Sequence, residues 1–288
     1  MTVANGSIPP PERIAQRQVS PGTLACWWLG GSGFVFKSPA GTVLCIDPYL
    51  SDSVNGIFGV GRAFPPPISP EDLRADGVIS THWHEDHLDP GTIPVIARVS
   101  DATRFIMPPS AMSRALGWGV KRDRIVPLSW GTERQGGQSV TVNDFTITAV
   151  PARHDAGITG WEVPDAMGVM IECQGLKIYN SGDTEYDTRL RLLKSHEPDV
   201  AMICINGAGG NMNAHEAALL AWQLGARVCV PMHHFLWANL PADPESTLNP
   251  EIFSTTYARL GGTGRVVLPD VGGEIDLMTN AKTRMTHK

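Results

Sequence analysis

The sequence predicts a layered α/β fold with a reactive edge, and three observations carry that prediction. Short apolar runs of strand length alternate with helical stretches along most of the chain. Several of those runs end in a residue able to bind a metal: His82 and His84 after Val78-Ile79, His154 after Phe145–Val150, Asp183 after Leu176–Tyr179, and His233 after Val228–Val230. The stretch Ser80-Thr-His-Trp-His-Glu-Asp-His-Leu-Asp89 also packs four candidate ligands, His82, His84, Asp86 and His87, into six positions. Strand ends of a layered α/β fold converge on one edge, so ligands far apart in sequence can meet there.

The chain has 288 residues, 42% of them hydrophobic and 18% charged, enough to bury a sizeable core. Residues 1–22, rich in proline and polar residues, read as a flexible N-terminal arm, and 23–288 as the folded domain. The net charge of −6 and the absence of any lysine or arginine run argue against a nucleic-acid partner. The five cysteines form no C-x-x-C pair and four lie in apolar runs, which fits a reducing compartment. No apolar export segment and no stretch of membrane-spanning length is seen. A cytoplasmic protein acting on a small molecule, with no membrane partner, is expected; homo-oligomerisation is left open.

In order, Leu24–Leu29, Phe34–Lys37 and Thr42–Ile46 read as three strands separated by Gly30-Gly-Ser-Gly33 and Ser38-Pro-Ala-Gly41, an antiparallel meander. Asp47-Pro48 ends the third; the aspartate serves either a turn or the orientation of a ligand histidine. Residues 51–70, rich in glycine and proline, read as a long loop, a substrate lid or a surface excursion. Asp89-Pro90 is expected to cap a helix running from Gly91 to Val99 and disturbed by Pro94. Arg104–Met107 is the next strand and Ala111–Leu116 the next helix. Residues 140–150 form a hairpin around Asn143-Asp144, and 168–179 a second around Gln174-Gly175. Asp199–Ile205 is a buried strand. Asn213-Ala-His-Glu216 is a capping box opening a helix to Leu224, ended by Gly225, before the strand Arg227–Val230.

If the motif extends a strand, the two-residue spacing puts His82 and His84 on one side. With the later strand ends, the ligands suffice for two sites. His82, His84 and His154 would hold one metal, Asp86, His87 and His233 the other, with Asp183 shared. Imidazole and carboxylate suit zinc, manganese or iron better than calcium. His154 and His233 taken singly would more often be structural.

His82-Trp-His-Glu-Asp-His87 and the order of the later ligands resemble the metallo-β-lactamase superfamily over roughly residues 24–275. The resemblance implies the four-layered αββα sandwich and makes Asp47 a residue that orients a ligand. Within the superfamily the chain is similar to the bacterial L-ascorbate-6-phosphate lactonase group. The similarity lies in Gly117-Trp-Gly-Val-Lys-Arg-Asp-Arg124, Ser181-Gly-Asp-Thr-Glu-Tyr186 and Val230-Pro-Met-His-His-Phe-Leu-Trp-Ala-Asn-Leu-Pro-Ala-Asp-Pro244. It departs in a shorter segment before the motif and in Arg153-His154, where that group has an acidic ligand region.

The implied reaction is hydrolysis of a lactone or ester of a small, sugar-like molecule, phosphorylated or not. Two divalent ions would lower the pKa of a bridging water from about 15.7 to near neutrality, giving hydroxide. Asp86 would relay a proton to the leaving alkoxide. His234 is a second catalytic candidate or a packing residue. Arg153, Arg62 and Asn239 are candidates for substrate contact, Arg62 having a surface role as its simpler reading. Trp27, Trp28 and Trp161 read as core or pocket wall. The rivals are a phosphodiesterase or nuclease on the same fold, and a non-catalytic metal-dependent binding or regulatory protein.

Overall fold

The computed structural model describes residues 10–131, 137–155, 160–239 and 248–277. Two seven-stranded mixed sheets stack face to face. The first contains β1 (Ala25–Gly30), β2 (Gly33–Lys37), β3 (Val43–Ile46), β4 (Gly77–Ile79), β5 (Arg104–Met107), β6 (Ile125–Pro127) and, on its other edge, β14 (Glu274–Ile275). The second contains β7 (Ser139–Val142), β8 (Phe145–Pro151), β9 (Met167–Cys173), β10 (Leu176–Asn180), β11 (Val200–Cys204), β12 (Val228–Met232) and β13 (Arg265–Val266). Each sheet begins as an antiparallel meander and continues as parallel strands, β3 to β6 in one and β10 to β13 in the other.

The helices are α1 (Pro10–Gln16), α2 (Ser53–Phe58), α3 (Ile93–Val99), α4 (Pro109–Gly117), α5 (Ala214–Leu224) and α6 (Pro250–Arg259). The strands are apolar at nearly every position because both faces of each sheet are covered. In β1, Cys26 and Trp28 join the core shared by the two sheets, while Ala25, Trp27 and Leu29 join a second core. That second core holds Ile93 and Ile96 of α3 and Ala111 and Ala115 of α4. Against the other sheet lie Ala214, Ala217, Ala218, Leu220, Ala221 and Leu224 of α5. The α/β sandwich is therefore present, helices outside and sheets within.

The capping box of α5 forms as read: Asn213 accepts from the His215 and Glu216 backbone N–H groups, Glu216 accepts from Asn213, and Gly225 ends the helix in a left-handed conformation. Three local expectations change. The N-terminal arm is not free from residue 10 onward; Ile14 is buried, and the Lys37 ammonium donates to the Ile14 and Ala15 carbonyls. Residues 1–9 lie outside the described residues. The loop at 51–70 contains α2. Asp89-Pro90 does not cap α3, which starts at Ile93 after Thr92 and carries Pro94 at its first turn, where a missing N–H costs nothing.

Asp89 instead gathers the neighbouring loop. Its buried carboxylate accepts from the backbone N–H of Leu50, Ser51 and Gly91 and from the hydroxyls of Ser51, Ser53 and Thr92. Those six bonds tie the start of α2 to the end of the histidine motif. No helix among the described residues is long and apolar enough to cross a membrane.

Candidate metal centre

The parallel register sets the edge. Ile46 pairs with Ile79, so Asp47 and Ser80 leave β3 and β4 side by side, and the Asp47 N–H donates to the Ile79 carbonyl at 2.8 Å. Asn180 pairs with Met202 and Cys204 with Met232, which brings the residues after β10 and β12, Asp183 and His233, to the same end. The chain turns at Gly182 with φ +55°; a Cβ there would lie 2.9 Å from both the Met167 carbonyl oxygen and Thr81 Cβ. Glycine lets Asp183 approach the motif that closely.

Three groups of side chains at this edge could hold a metal ion: His82, His84 and His154; His82, His87 and Asp183; Asp86, His87 and His233. Within each group the ligand atoms lie within 4.8 Å of one another. All seven residues expected as ligands are thus brought together.

The outer nitrogens show what the inner ones must be. His154 Nδ1 lies 3.2 Å from the Gly210 carbonyl and His84 Nε2 lies 3.2 Å from the Trp161 carbonyl. A carbonyl only accepts, so each of those nitrogens carries the proton. The Thr81 hydroxyl donates to Asp47 at 2.7 Å and therefore accepts from His82 Nδ1 at 3.2 Å. The remaining nitrogens, His82 Nε2, His84 Nδ1 and His154 Nε2, then face each other as lone pairs. His82 Nε2 and His154 Nε2 stand 2.9 and 3.0 Å from His84 Nδ1. Three neutral imidazoles with converging lone pairs suit a cation and little else.

Burial keeps His82 and His84 neutral. It pushes His82 well below its ordinary value, with His87, His84 and His154 adding to the effect, and it takes His84 down to about 4, with His154 assisting. The second group is built oppositely. Burial works against charge on His87 and His233, but Asp183 and Asp86 outweigh it, and His233 rises to about 10. Asp86 in turn is resisted by burial but held at about 2 by His87 and His233. His87 donates Nδ1–H to Asp47 at 2.8 Å, while its buried Nε2 has no hydrogen bond of normal geometry and faces Asp183 at 3.3 Å. His233 Nε2 faces Asp86 at 3.2 Å and Asp183 at 3.4 Å. A divalent ion held here would replace protons on nitrogens already aimed at two carboxylates. The donor sets at both positions fit metal ions.

Asp47 accepts from the Thr81 N–H at 2.8 Å, the Thr81 hydroxyl and His87 Nδ1, so it orients ligands of both groups. Other supports carried no ligand-like signal in the sequence. Asn211 donates Nδ2–H to Asp183 at 2.6 Å from a glycine-rich loop after β11; that strand-end glycine run was the available clue. Arg114 of α4 pairs with Glu85 at 2.7 Å and stacks 4.2 Å over the Trp83 ring, bracing the motif from outside.

A cleft of about 240 Å³ opens on His84, Asp86, His154, Asp183 and His233. Four expected contacts do not line it. His234 is buried against the Trp28 ring at 5.1 Å, and burial drives it down to about 4, making it a neutral packing residue. Positive φ angles at His233 and Phe235 turn the chain sharply on either side of it. Arg62 donates to the Tyr49 and Phe64 carbonyls and lies against both rings, at 4.6 and 5.4 Å. Arg153 is half exposed and faces Glu185 at 3.7 Å. Asn239 is exposed. Trp27 and Trp28 are core, while Trp161 lines the cleft.

This fold and this donor set define a metal-dependent hydrolase class. A family model described as the beta-lactamase superfamily domain matches residues 42–234, and the chain belongs to that superfamily. Among curated relatives, the probable L-ascorbate-6-phosphate lactonase of Salmonella paratyphi B is 29% identical, over 81% of this chain and 76% of its own. The same protein from Salmonella newport matches equally. Among solved structures, the metallo hydrolase Igni18 from Ignicoccus hospitalis superposes with TM-score 0.65 at 21% identity, covering 88% of this chain and 97% of that one. An isothiocyanate hydrolase from Delia radicum gut bacteria does so with TM-score 0.66 at 18% identity, covering 88% and 98%. At those identities the two structures speak for the fold.

Proposed function

We propose that the protein is a dinuclear metal-dependent hydrolase acting on a lactone or carboxylic ester of a small molecule. One observation carries this reading: the His82 and His154 Nε2 lone pairs stand 2.9 and 3.0 Å from that of His84 Nδ1, next to two carboxylates and two further histidines, at the floor of an open cleft. A cleft over the ligands gives a substrate access that a purely structural site would not need. The similarity to lactonases supports the choice of bond.

His82, His84 and His154 would hold one ion and Asp86, His87 and His233 the other, with Asp183 between them. When bound, two such ions supply a hydroxide nucleophile at neutral pH and polarise the carbonyl. Zinc, manganese and iron all suit the donors. Asp86 is one of the two carboxylate ligands that reach the cleft, and its low pKa keeps it ionised as a hydrogen-bond acceptor. It accepts the proton of the attacking water and returns it to the leaving alkoxide. Asp47 and Thr81 keep His82 and His87 in the tautomers that leave Nε2 free.

The test is metal analysis of protein purified without chelators, followed by a panel of lactones, esters and a bis-aryl phosphodiester. Lactone or ester turnover with about two ions per chain is expected. In His84→Ala, loss of one ion together with activity is expected, since its Nδ1 stands at the centre of the triad. Unchanged metal content and turnover in that variant would sink the assignment, and phosphodiester cleavage without lactone cleavage would move the protein to the other hydrolase class.

A further inference from the structure

The cleft has a wall whose chemistry the hydrolytic step does not use. Val54 and Phe58 of α2, with Val60, Trp161 and Trp237, form it. The Phe58 and Trp161 rings stand 5.3 Å apart, and Trp161 stands 5.1 Å from the His84 ring, so aromatic surface runs from the rim to a ligand imidazole. Phe58 is 45% exposed and Trp161 39%, leaving large apolar faces turned to the cleft mouth instead of the core. The wall is held in place: Asp89 anchors the start of α2, and residues 61–63 pair with 236–238 through Ala63 N–H to the Leu236 carbonyl and Ala238 N–H to the Gly61 carbonyl.

The facing wall is uncharged. Asn206, Ala208, Gly209 and Asn211 line it, and the buried Oδ1 atoms of both asparagines have no hydrogen-bond partner. Asn211 Nδ2 donates to Asp183, which fixes its Oδ1 as an acceptor for a donor on the substrate. Among the described lining residues there is no lysine or arginine. The one charged lining residue beyond the metal-binding set is Glu85, paired with Arg114. A phosphate group would find no guanidinium or ammonium there, since neither Arg62 nor Arg153 lines the cleft.

We propose that the part of the substrate that is not hydrolysed is an uncharged aryl or alkyl group seated against Phe58, Trp161 and Trp237, and not a phosphorylated sugar. This rests on the lactone or ester hydrolase reading and specifies its substrate. Small, rigid aromatic walls recognise such groups by buried apolar area, and a polar phosphorylated sugar would have to shed its water against them with no compensating charge.

The experiment compares γ-phenyl-γ-butyrolactone with 6-phosphogluconolactone on the metal-loaded full chain, and separately measures binding of uncharged 4-phenylbutanamide by tryptophan fluorescence. The aryl lactone is expected to have a kcat/KM about a hundredfold higher. Phe58→Ala, at a surface position that spares the fold, should raise its KM about tenfold and change kcat little; Trp161→Ala should raise KM likewise, and both should weaken amide binding in parallel. Preference for the phosphorylated lactone, with KM for it unmoved by either variant, would overturn the apolar assignment and leave the lactonase reading standing. Amide binding that weakens in Phe58→Ala, with neither lactone cleaved, would uphold the apolar site and overturn the lactonase reading. Neither cleavage nor binding would overturn both.

Discussion

Asp47→Asn separates what orients the two metal groups, because it preserves shape and removes one acceptor oxygen. The Thr81 N–H holds the remaining oxygen at the Oδ1 position, so the new NH₂ stands where Oδ2 meets the Thr81 hydroxyl and His87 Nδ1. Thr81 can turn and accept. His87 cannot donate to a donor, so the one proton it keeps when a metal is bound belongs on Nε2, the atom that faces Asp183 and Asp86. The second group thereby loses a ligand lone pair. Loss of such an orienting partner costs about 10–100-fold in metal affinity, or about 1.4–2.7 kcal/mol. The first group touches Asp47 only through Thr81 and His82 Nδ1, so its affinity should shift less than about threefold. A two-site titration against a competing chelator reads both constants. Equal losses at the two sites, or no loss at either, would refute the tautomer argument.

Three other outcomes are expected. Loading the second ion near neutral pH should release about two protons, from His87 and His233, whereas His82 and His84 in the first should release none. The sign follows from the shifts: His233 rises to about 10 and stays protonated at pH 7, so affinity for the second ion climbs with pH towards that value, whereas His84 at about 4 adds no pH dependence to the first above pH 5 or so. Calorimetry in buffers of different ionisation enthalpy counts the protons. Asp89→Ala strips the acceptors from the Ser51 N–H and the Thr92 hydroxyl, which should lower stability by roughly 2–4 kcal/mol in urea unfolding; a change below about 0.5 kcal/mol would contradict the anchoring role. Gly182→Ala forces a Cβ against the Met167 carbonyl at positive φ, and a loss of roughly 1–3 kcal/mol with weaker metal binding is expected from the same two assays.

Much of the fold was legible because its signals are local. Apolar runs such as Arg104–Met107 mark strands buried on both faces, and Asn213 with Glu216 and Gly225 marks both ends of α5. The ligand set was legible for a similar reason: a strand end has few places to point, so His82, His154, Asp183 and His233 converge once the strands are stacked in register. What failed was the destination of side chains that contact distant residues. Asp89 looked like a helix cap but serves a loop nearly forty residues earlier in the chain. Arg62 looked like a surface cation and was drawn onto Tyr49 and Phe64. His234 was open between catalysis and packing, and its contact with Trp28 makes it packing.

The sequence by itself therefore determined the class of chemistry, since residue type and strand-end position dictate which atoms can hold a metal. Only the tertiary structure decided protonation and the character of the cleft. A tautomer depends on what the other ring nitrogen touches, and a pocket wall depends on which loops are brought over it; both are contacts between segments far apart in the chain, and neither leaves a local pattern to read.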